Sequence, residues 1–107
     1  FGDPLLFTIF GVIDQYSAST GLQENKWTHF AVTYDKSNII FYKNGLVLSS
    51  HAQTGDISSA GAQPLYIGAL NNTGTAINPF NGKLDDSRVY NRALSAVEIR
   101  QLYNQGR

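Results

Sequence analysis

The sequence has no cysteine and no methionine, and its charges balance at eight basic and eight acidic residues in 107. Without cysteine, disulfides, thiolate metal sites and cysteine nucleophiles are excluded together. Without an excess of basic residues there is no field to attract phosphates, so nucleic acid is not expected as a partner. No run approaches the roughly 18 apolar residues of a membrane span, so membrane insertion is not expected either.

The residues that are present favour one folded domain with many turns. Apolar residues make up 42% of the chain and charged residues 15%, a balance typical of folded proteins. A chain of this length has room for one small core, so residues 1–107 are interpreted as a single domain. Because residue 1 is Phe rather than Met, we interpret the chain as processed or as part of a longer protein.

Apolar alternation and turn residues predict a series of short strands. The clearest hairpin signal is Asn44-Gly45, because a type I′ turn needs positive φ at both central residues. Residues 71–79 are predicted to form an asparagine-rich rim loop. Strands are expected, in order, over residues 5–13, 27–34, 39–43, 46–49, 64–68 and 80–90.

One helix is predicted near the end of the sequence. Ser95 and Glu98 have the spacing of a capping box, and Gly106 is the expected stop. The helix is expected to seal one edge of the fold with an apolar stripe of Val97, Ile99, Leu102 and Tyr103. Short strands followed by one terminal helix indicate an all-β fold, an antiparallel β-sandwich with one short C-terminal α-helix.

Four segments, taken in order, carry a family resemblance. Residues 27–35 (WTHFAVTYD), 41–45 (FYKNG), 65–68 (LYIG) and 80–99 (FNGKLDDSRVYNRALSAVEI) match a strand, a hairpin, a second strand and a closing segment. They resemble the laminin G-like jelly-roll family, related to the pentraxins and the concanavalin A-like lectins and glucanases. The resemblance covers roughly residues 27–103 and implies a jelly-roll sandwich.

Domains of this family are normally longer, with first strands that precede the part matched here. We therefore expect either an abbreviated domain or first strands that are missing from this chain or supplied by another polypeptide. A sandwich that lacks strands exposes unpaired edges and apolar faces. The isolated segment is accordingly expected to be unstable or assembled.

The resemblance also implies a binding site in the rim loop. In pentraxins the corresponding loop and the residue before the F-x-G segment supply oxygen ligands to calcium, and the calcium binds the partner ligand. By position this implies Asn71, Asn72 and Asn78 as metal ligands, Ca²⁺ as the cofactor, and Asn71, Asn72 and Tyr66 as ligand-binding residues. Calcium favours sites with carboxylates, and this loop has none; the alternative is an Asn/Gly turn that caps its own backbone.

Aromatic residues are further candidates for contact with a glycan, because aromatic rings match the apolar faces of sugars. Trp27 is interpreted as a core residue, since the family places it there. Tyr16, Tyr66 and Tyr90 are the candidate platforms instead.

Catalysis is not expected. Glycoside hydrolysis needs an acid and a base or nucleophile held across the bond. The one close acidic pair is Asp85-Asp86, and adjacent residues of a strand point to opposite faces. One of the two is expected to brace loop backbone or to meet Arg88 or Arg92, and the other to be solvated.

The leading hypothesis is a non-catalytic recognition module of an extracellular or cell-surface protein. It would bind a glycan, or a protein ligand, through its rim loops. One alternative is a structural or assembly module of a larger surface protein, an adhesin or a viral fibre. Another is a fragment of a glycoside hydrolase whose catalytic strand lies elsewhere. The fold is argued from the residues, whereas the function rests on analogy.

Overall fold

Short antiparallel strands and one helix make up the described part of the chain. The structure is a computed structural model, and it describes residues 4–9, 13–56, 67–68, 70–72, 75–77, 80 and 82–105. The elements are β1 (Leu6–Ile9), β2 (Ile13–Tyr16), β3 (Phe30–Tyr34), β4 (Asn38–Lys43), β5 (Leu46–Ala52), β6 (Leu70–Asn72), β7 (Thr75–Ile77) and α1 (Ala96–Gln105). The predicted antiparallel sandwich with one C-terminal helix is confirmed.

The chain divides into two compact units. The first comprises Phe1–Ser58 with Tyr90–Arg107, and the second comprises Ser59–Val89. The first unit holds a β1-β2 hairpin, a three-stranded sheet in the order β3-β4-β5, and α1. The second holds the β6-β7 hairpin.

Two tight turns set the register of the three-stranded sheet. Before β4, the Asp35 carboxylate accepts the N–H groups of Asn38 at 2.8 Å and of Ser37 at 2.9 Å, and these bonds lower the pKa of Asp35. After β4, Asn44 and Gly45 have φ values of 51° and 80°. Both values are positive, as a type I′ turn requires, so the hairpin prediction is confirmed.

Strand β4 buries side chains on both of its faces. Ile39 and Phe41 are fully buried and pack against Phe7 and Ile13 of the β1-β2 hairpin, together with Val32, Tyr34 and Leu48. Tyr42 forms a second cluster with Leu94 and Ile99, against which Ala31, Ile40 and Leu102 pack. Because side chains alternate along a strand, the hairpin covers one face of the sheet and the helix covers the other. The helix was predicted to seal an edge, and that prediction is wrong.

The predicted capping box begins the helix. The Ser95 N–H donates to Glu98 Oε1 at 2.9 Å, and the Glu98 N–H donates to Ser95 Oγ at 3.2 Å. Arg92 donates to both carboxylate oxygens of Glu98, at 2.9 and 2.6 Å. Arg92 first, and then the Ser95 N–H, lower the pKa of Glu98 to about 2.

This arrangement predicts a loss of stability in acid. A carboxyl group whose pKa is lowered on folding stabilises the fold above its ordinary pKa of about 4.3. That contribution is lost as the pH falls toward the folded value of about 2. We expect the melting temperature to fall more steeply between about pH 4.5 and 2 in the native chain than in Glu98→Gln, measured by circular dichroism. Glu24→Gln is the control, and an equal slope in the native chain and Glu98→Gln would contradict the prediction.

Several predicted elements of the first unit differ from the structure. Residues 5–13 were predicted as one strand, but the chain reverses within this range. β1 pairs antiparallel with β2, and Ile9 lies opposite Ile13. The apolar run ends at Ile13, the first residue of β2, and it passes through the reversal without a charged residue that would have marked the turn. The stripe of α1 is narrower than predicted, because Val97 is 67% exposed whereas Ile99 is buried.

The second unit contradicts two predictions. Residues 71–79 were predicted as a rim loop, but Asn71 and Asn72 belong to β6 and pair with Ala76 and Thr75 of β7. The predicted strand over residues 80–90 is absent from its described part, residues 80 and 82–90. Asp86 has a φ of 54°, which is not extended, and Val89 is 72% exposed. A strand needs a neighbouring edge for pairing, and residues 80 and 82–90 pair with none of the described strands.

Gly68, the last residue of the predicted strand over 64–68, lies in a bend rather than a strand. Its φ is 82°, and a Cβ atom there would lie 2.6 Å from Leu84 Cδ1. The positive φ favours glycine here, whereas the exposed Leu84 side chain could move aside for a Cβ atom. Residues 64–66 of the predicted strand lie outside the described residues.

Candidate functional site

A polar pocket of about 100 Å³ lies at one end of the three-stranded sheet. It forms where the segment between β2 and β3 passes the last residue of β4 and the turn that follows. Its walls are glycine and polar side chains: Gly21, Gln23, Lys26, Thr28, Lys43 and Asn44. We call this the rim pocket.

Reciprocal hydrogen bonds between Asn44 and His29 hold the two sides of the rim pocket together. The His29 N–H donates to the Asn44 side-chain oxygen at 3.0 Å, and the Asn44 N–H donates to the His29 carbonyl at 2.8 Å. The first bond leaves the amino group of the Asn44 amide as the donor for a ligand. The turn residue that gives the hairpin its shape therefore also positions a polar group.

Gly21 makes room for a cation in the rim pocket. Its φ is 63°, and a Cβ atom there would lie 3.4 Å from Lys43 Nζ. Glycine adopts this backbone conformation without strain and leaves the space above it open. Beside it, Thr20 is buried, and the Leu22 N–H donates to its hydroxyl at 3.2 Å.

Trp27 is 66% exposed, so its assignment to the core is wrong. In sequence it lies between Lys26 and Thr28, two residues of the rim pocket. The predicted strand began at residue 27, but β3 begins at Phe30. Trp27 therefore precedes the sheet, and no layer of described residues covers its indole ring.

The other aromatic candidates lie apart from the rim pocket. Tyr16, on β2, is 57% exposed. Tyr90 is 46% exposed and lines a separate pocket of about 140 Å³ beside α1, together with the paired Arg92 and Glu98. Tyr66 lies outside the described residues.

Most of the described carboxylates serve the fold. Asp85 accepts the Asp86 N–H at 2.8 Å, and Asp86 pairs with Arg88 at 3.1 Å. The prediction that one of the two braces backbone or meets an arginine is confirmed, and both side chains are exposed. Asp56 pairs with Lys36 at 2.7 Å, which lowers the pKa of Asp56.

A family comparison decides the relationship of the chain. Residues 6–100 match the laminin G family model described as the concanavalin A-like lectin/glucanases superfamily. The chain belongs to this superfamily. The resemblance seen in the sequence is thereby confirmed, and the match includes all four segments that carried it and begins ahead of the first of them.

A solved structure is also similar to this chain. It is a crystal structure of residues 221–444 of an S-layer domain-containing protein from Clostridium thermocellum, with 31% sequence identity and a TM-score of 0.66. The match covers 85% of this chain and 45% of that chain, so this chain spans less than half of the solved structure. A search of the curated proteins gave no match.

The calcium site that the family resemblance implies for this chain stays a prediction. Asn71 and Asn72 lie in β6 and pair through their backbones with Ala76 and Thr75 of β7. Asn78 lies outside the described residues. All three are neutral amides, and the described residues contain no group of three or more His, Asp or Glu that could hold a metal ion. Calcium favours carboxylate oxygens, so the residues present do not by themselves satisfy this ion.

The rim pocket was not predicted from the sequence. Its two cations are 17 positions apart in sequence, and only the pairing of Phe30 with Lys43 brings the segment before β3 beside the end of β4. A signal was available. A lysine directly before a type I′ Asn-Gly turn lies at the end of a strand, and the residues before the partner strand must lie next to it.

Proposed function

We propose that this chain is a non-catalytic carbohydrate-binding module of an extracellular or cell-surface protein, with Trp27 as its sugar platform. The observation that carries the proposal is that Trp27 is 66% exposed and lies in sequence between Lys26 and Thr28, which line a polar pocket. An exposed aromatic ring and hydrogen-bonding groups on one short segment match the two kinds of surface that a sugar ring presents.

The free energy of burying apolar surface favours a role in binding for the exposed Trp27. Burial of apolar surface stabilises by about 25 cal/mol per Å², so a tryptophan left exposed forgoes a large contribution to folding. A ligand that covers the ring recovers that contribution, and tryptophan is enriched among the residues that dominate binding interfaces. Thr28, Gln23 and Asn44 supply hydroxyl and amide groups to the hydroxyls of a sugar.

The carboxylates support a module without catalysis. A glycosidase needs an acid whose pKa is raised. The shifts in Asp35, Asp56 and Glu98 run the other way, because each accepts hydrogen bonds or faces a cation that lowers its pKa. Asp86 is likewise paired with Arg88, so these groups are engaged in the fold rather than in proton transfer.

The proposed location rests on the similar S-layer domain-containing protein. A domain related to part of such a protein fits a module of a longer chain at the cell surface. Among the described residues, no helix has the length and apolar character to cross a membrane.

Replacement of Trp27 tests the proposal. The purified chain is first applied, in calcium and in EGTA, to a glycan array that includes cellohexaose, xylohexaose, mannohexaose and hexagalacturonate. It is then titrated with the glycan that binds most tightly. Trp27→Ala is expected to raise Kd about 30-fold or more, a loss of about 2 kcal/mol, and Trp27→Phe should retain part of the affinity. Val97→Ala, which alters a side chain exposed to the same extent, is expected to leave Kd unchanged.

Binding without calcium, in EGTA, would show that the ion is not required, whereas binding lost in EGTA and in Asn72→Ala would support the calcium site. The proposal fails if no glycan binds, or if Trp27→Ala binds as well as the native chain.

A second function, assembly with another polypeptide, is favoured by apolar residues on the outer strand of the sheet. Leu46 and Val47 of β5 are 58% and 57% exposed, and β5 pairs with β4 on one side only within the described residues. An edge of this kind can pair with another strand. A chain that binds no glycan and sediments as a dimer would support this function in place of the first.

A further inference from the structure

Two cations and, among the described residues, no anion line the rim pocket. The cations are those of Lys26 and Lys43, and none of the described carboxylates lines it. Glu24, the acidic residue nearest to Lys26 in sequence, does not line the pocket. An unbalanced pair of ammonium groups in one concavity attracts an anionic group.

The two lysines differ from three other basic residues of the chain in having no carboxylate partner among the described residues. Lys36, Arg88 and Arg92 each pair with a carboxylate, at 2.7, 3.1 and 2.6 Å. Neither Lys26 nor Lys43 has such a partner among the described residues. Their charge is available to a ligand, whereas that of the other three is already neutralised locally.

The backbone holds Lys43 in place. It is the last residue of β4, it pairs with Phe30 and with Leu46, and its side chain is half-buried. Its ammonium group lies over Gly21, where a Cβ atom would come within 3.4 Å of Nζ. A cation on a paired strand loses less freedom on binding than one on an exposed loop.

The size of the rim pocket limits what enters it. A volume of about 100 Å³ is below the roughly 300–1,000 Å³ of sites that enclose a small-molecule ligand. The pocket has room for a small group such as a carboxylate or a sulfate. The sugar ring that carries the group would lie outside it, and Trp27, which does not line the pocket but is exposed nearby in sequence, is taken as its platform.

We propose that the rim pocket binds the anionic substituent, carboxylate or sulfate, of an acidic polysaccharide. The inference rests on the proposed function, because Trp27 is taken as the platform for the sugar ring that carries this substituent. Lys26 and Lys43 would bind the charge, and the Asn44 amino group and the Thr28 hydroxyl would donate hydrogen bonds to it.

The test compares matched pairs of sugars with and without the anionic substituent. One pair is hexagalacturonate and its fully methyl-esterified form, and the other is a chondroitin hexasaccharide with and without sulfate. Each probe is titrated at low and at physiological salt. Lys43→Gln is expected to raise Kd for an acidic probe about tenfold or more and to leave the ester unchanged. Tighter binding of hexagalacturonate than of its ester identifies carboxylate as the natural group, and tighter binding of the sulfated than of the unsulfated chondroitin identifies sulfate.

Two variants control for loss of charge and loss of fold. Lys36→Gln removes the same charge from a lysine at the other end of β4, and it is expected to leave Kd unchanged. Lys43→Arg keeps the charge and is expected to restore most of the binding. Higher salt is expected to weaken binding of the acidic probes more than binding of the ester.

The proposal is overturned if the acid and the ester bind equally, or if Lys36→Gln weakens binding as much as Lys43→Gln. A neutral sugar whose binding depends on Trp27 and not on Lys43 would overturn the anionic pocket and leave the carbohydrate-binding module standing. Acidic sugars whose binding depends on Lys43 and not on Trp27 would support the pocket and remove the platform.

Discussion

Phe41→Ala is expected to lower the free energy of unfolding by about 3–5 kcal/mol, the usual cost of removing a buried aromatic side chain. Phe41 is 0% exposed and lies at the centre of the cluster beneath the β1-β2 hairpin. Small domains are stable by only about 5–15 kcal/mol. The variant should therefore be largely unfolded well below the melting temperature of the native chain.

Urea denaturation followed by circular dichroism measures this effect, with the midpoint and the slope fitted separately. Leu46→Ala is the matched control, since Leu46 is a large apolar residue of the same sheet that is 58% exposed. Its effect is expected to stay within about 0.5 kcal/mol. A loss below about 1 kcal/mol in Phe41→Ala would contradict the packing of the hairpin on this face.

Local signals predicted the turns and the helix cap correctly. Asn44-Gly45 and the pair of Ser95 and Glu98 are decided by the chemistry of adjacent residues, which is fully present in the sequence. Alternation along β3 is equally local: it puts Val32 and Tyr34 in one cluster and Ala31 in the other. Such features need no knowledge of distant partners.

Features that depend on distant partners were predicted less well. Residues 80–90 were predicted as a strand, but a strand requires a neighbouring edge, and the sequence does not state whether one is supplied. Trp27 was assigned to the core from the family resemblance, yet no layer of described residues covers it. The rim pocket also depends on distant partners, because the register between β3 and β4 brings its two sides together. It was therefore not predicted.

Helix α1 supports the rim pocket as well as the core. A Cβ atom at Gly45 would lie 3.2 Å from Tyr103 Cδ2, and the Tyr103 and His29 rings are 5.9 Å apart. Gly45 follows Asn44, and His29 bonds to Asn44. The helix therefore touches the turn that positions one wall of the pocket, a role that its apolar stripe alone did not suggest.

Ile99→Ala is expected to lower the free energy of unfolding by about 2–5 kcal/mol. Ile99 is 2% exposed and packs with Tyr42 and Leu94 on the face of the sheet opposite to Phe41. Val97→Ala, two residues earlier in α1 and 67% exposed, is the control and should change stability by less than about 0.5 kcal/mol. Equal losses in the two variants would show that the helix does not pack through Ile99.

The milder changes Ile99→Val and Phe41→Leu show whether the two faces are independent. The two clusters share no side chain, so the combined loss in free energy should equal the sum of the single losses within about 0.5 kcal/mol. A larger coupling would mean that β4 transmits strain from one face to the other. In that case a change under the hairpin would also reach Lys43 and Asn44, and Phe41→Leu would weaken binding of an acidic sugar although Phe41 does not line the rim pocket.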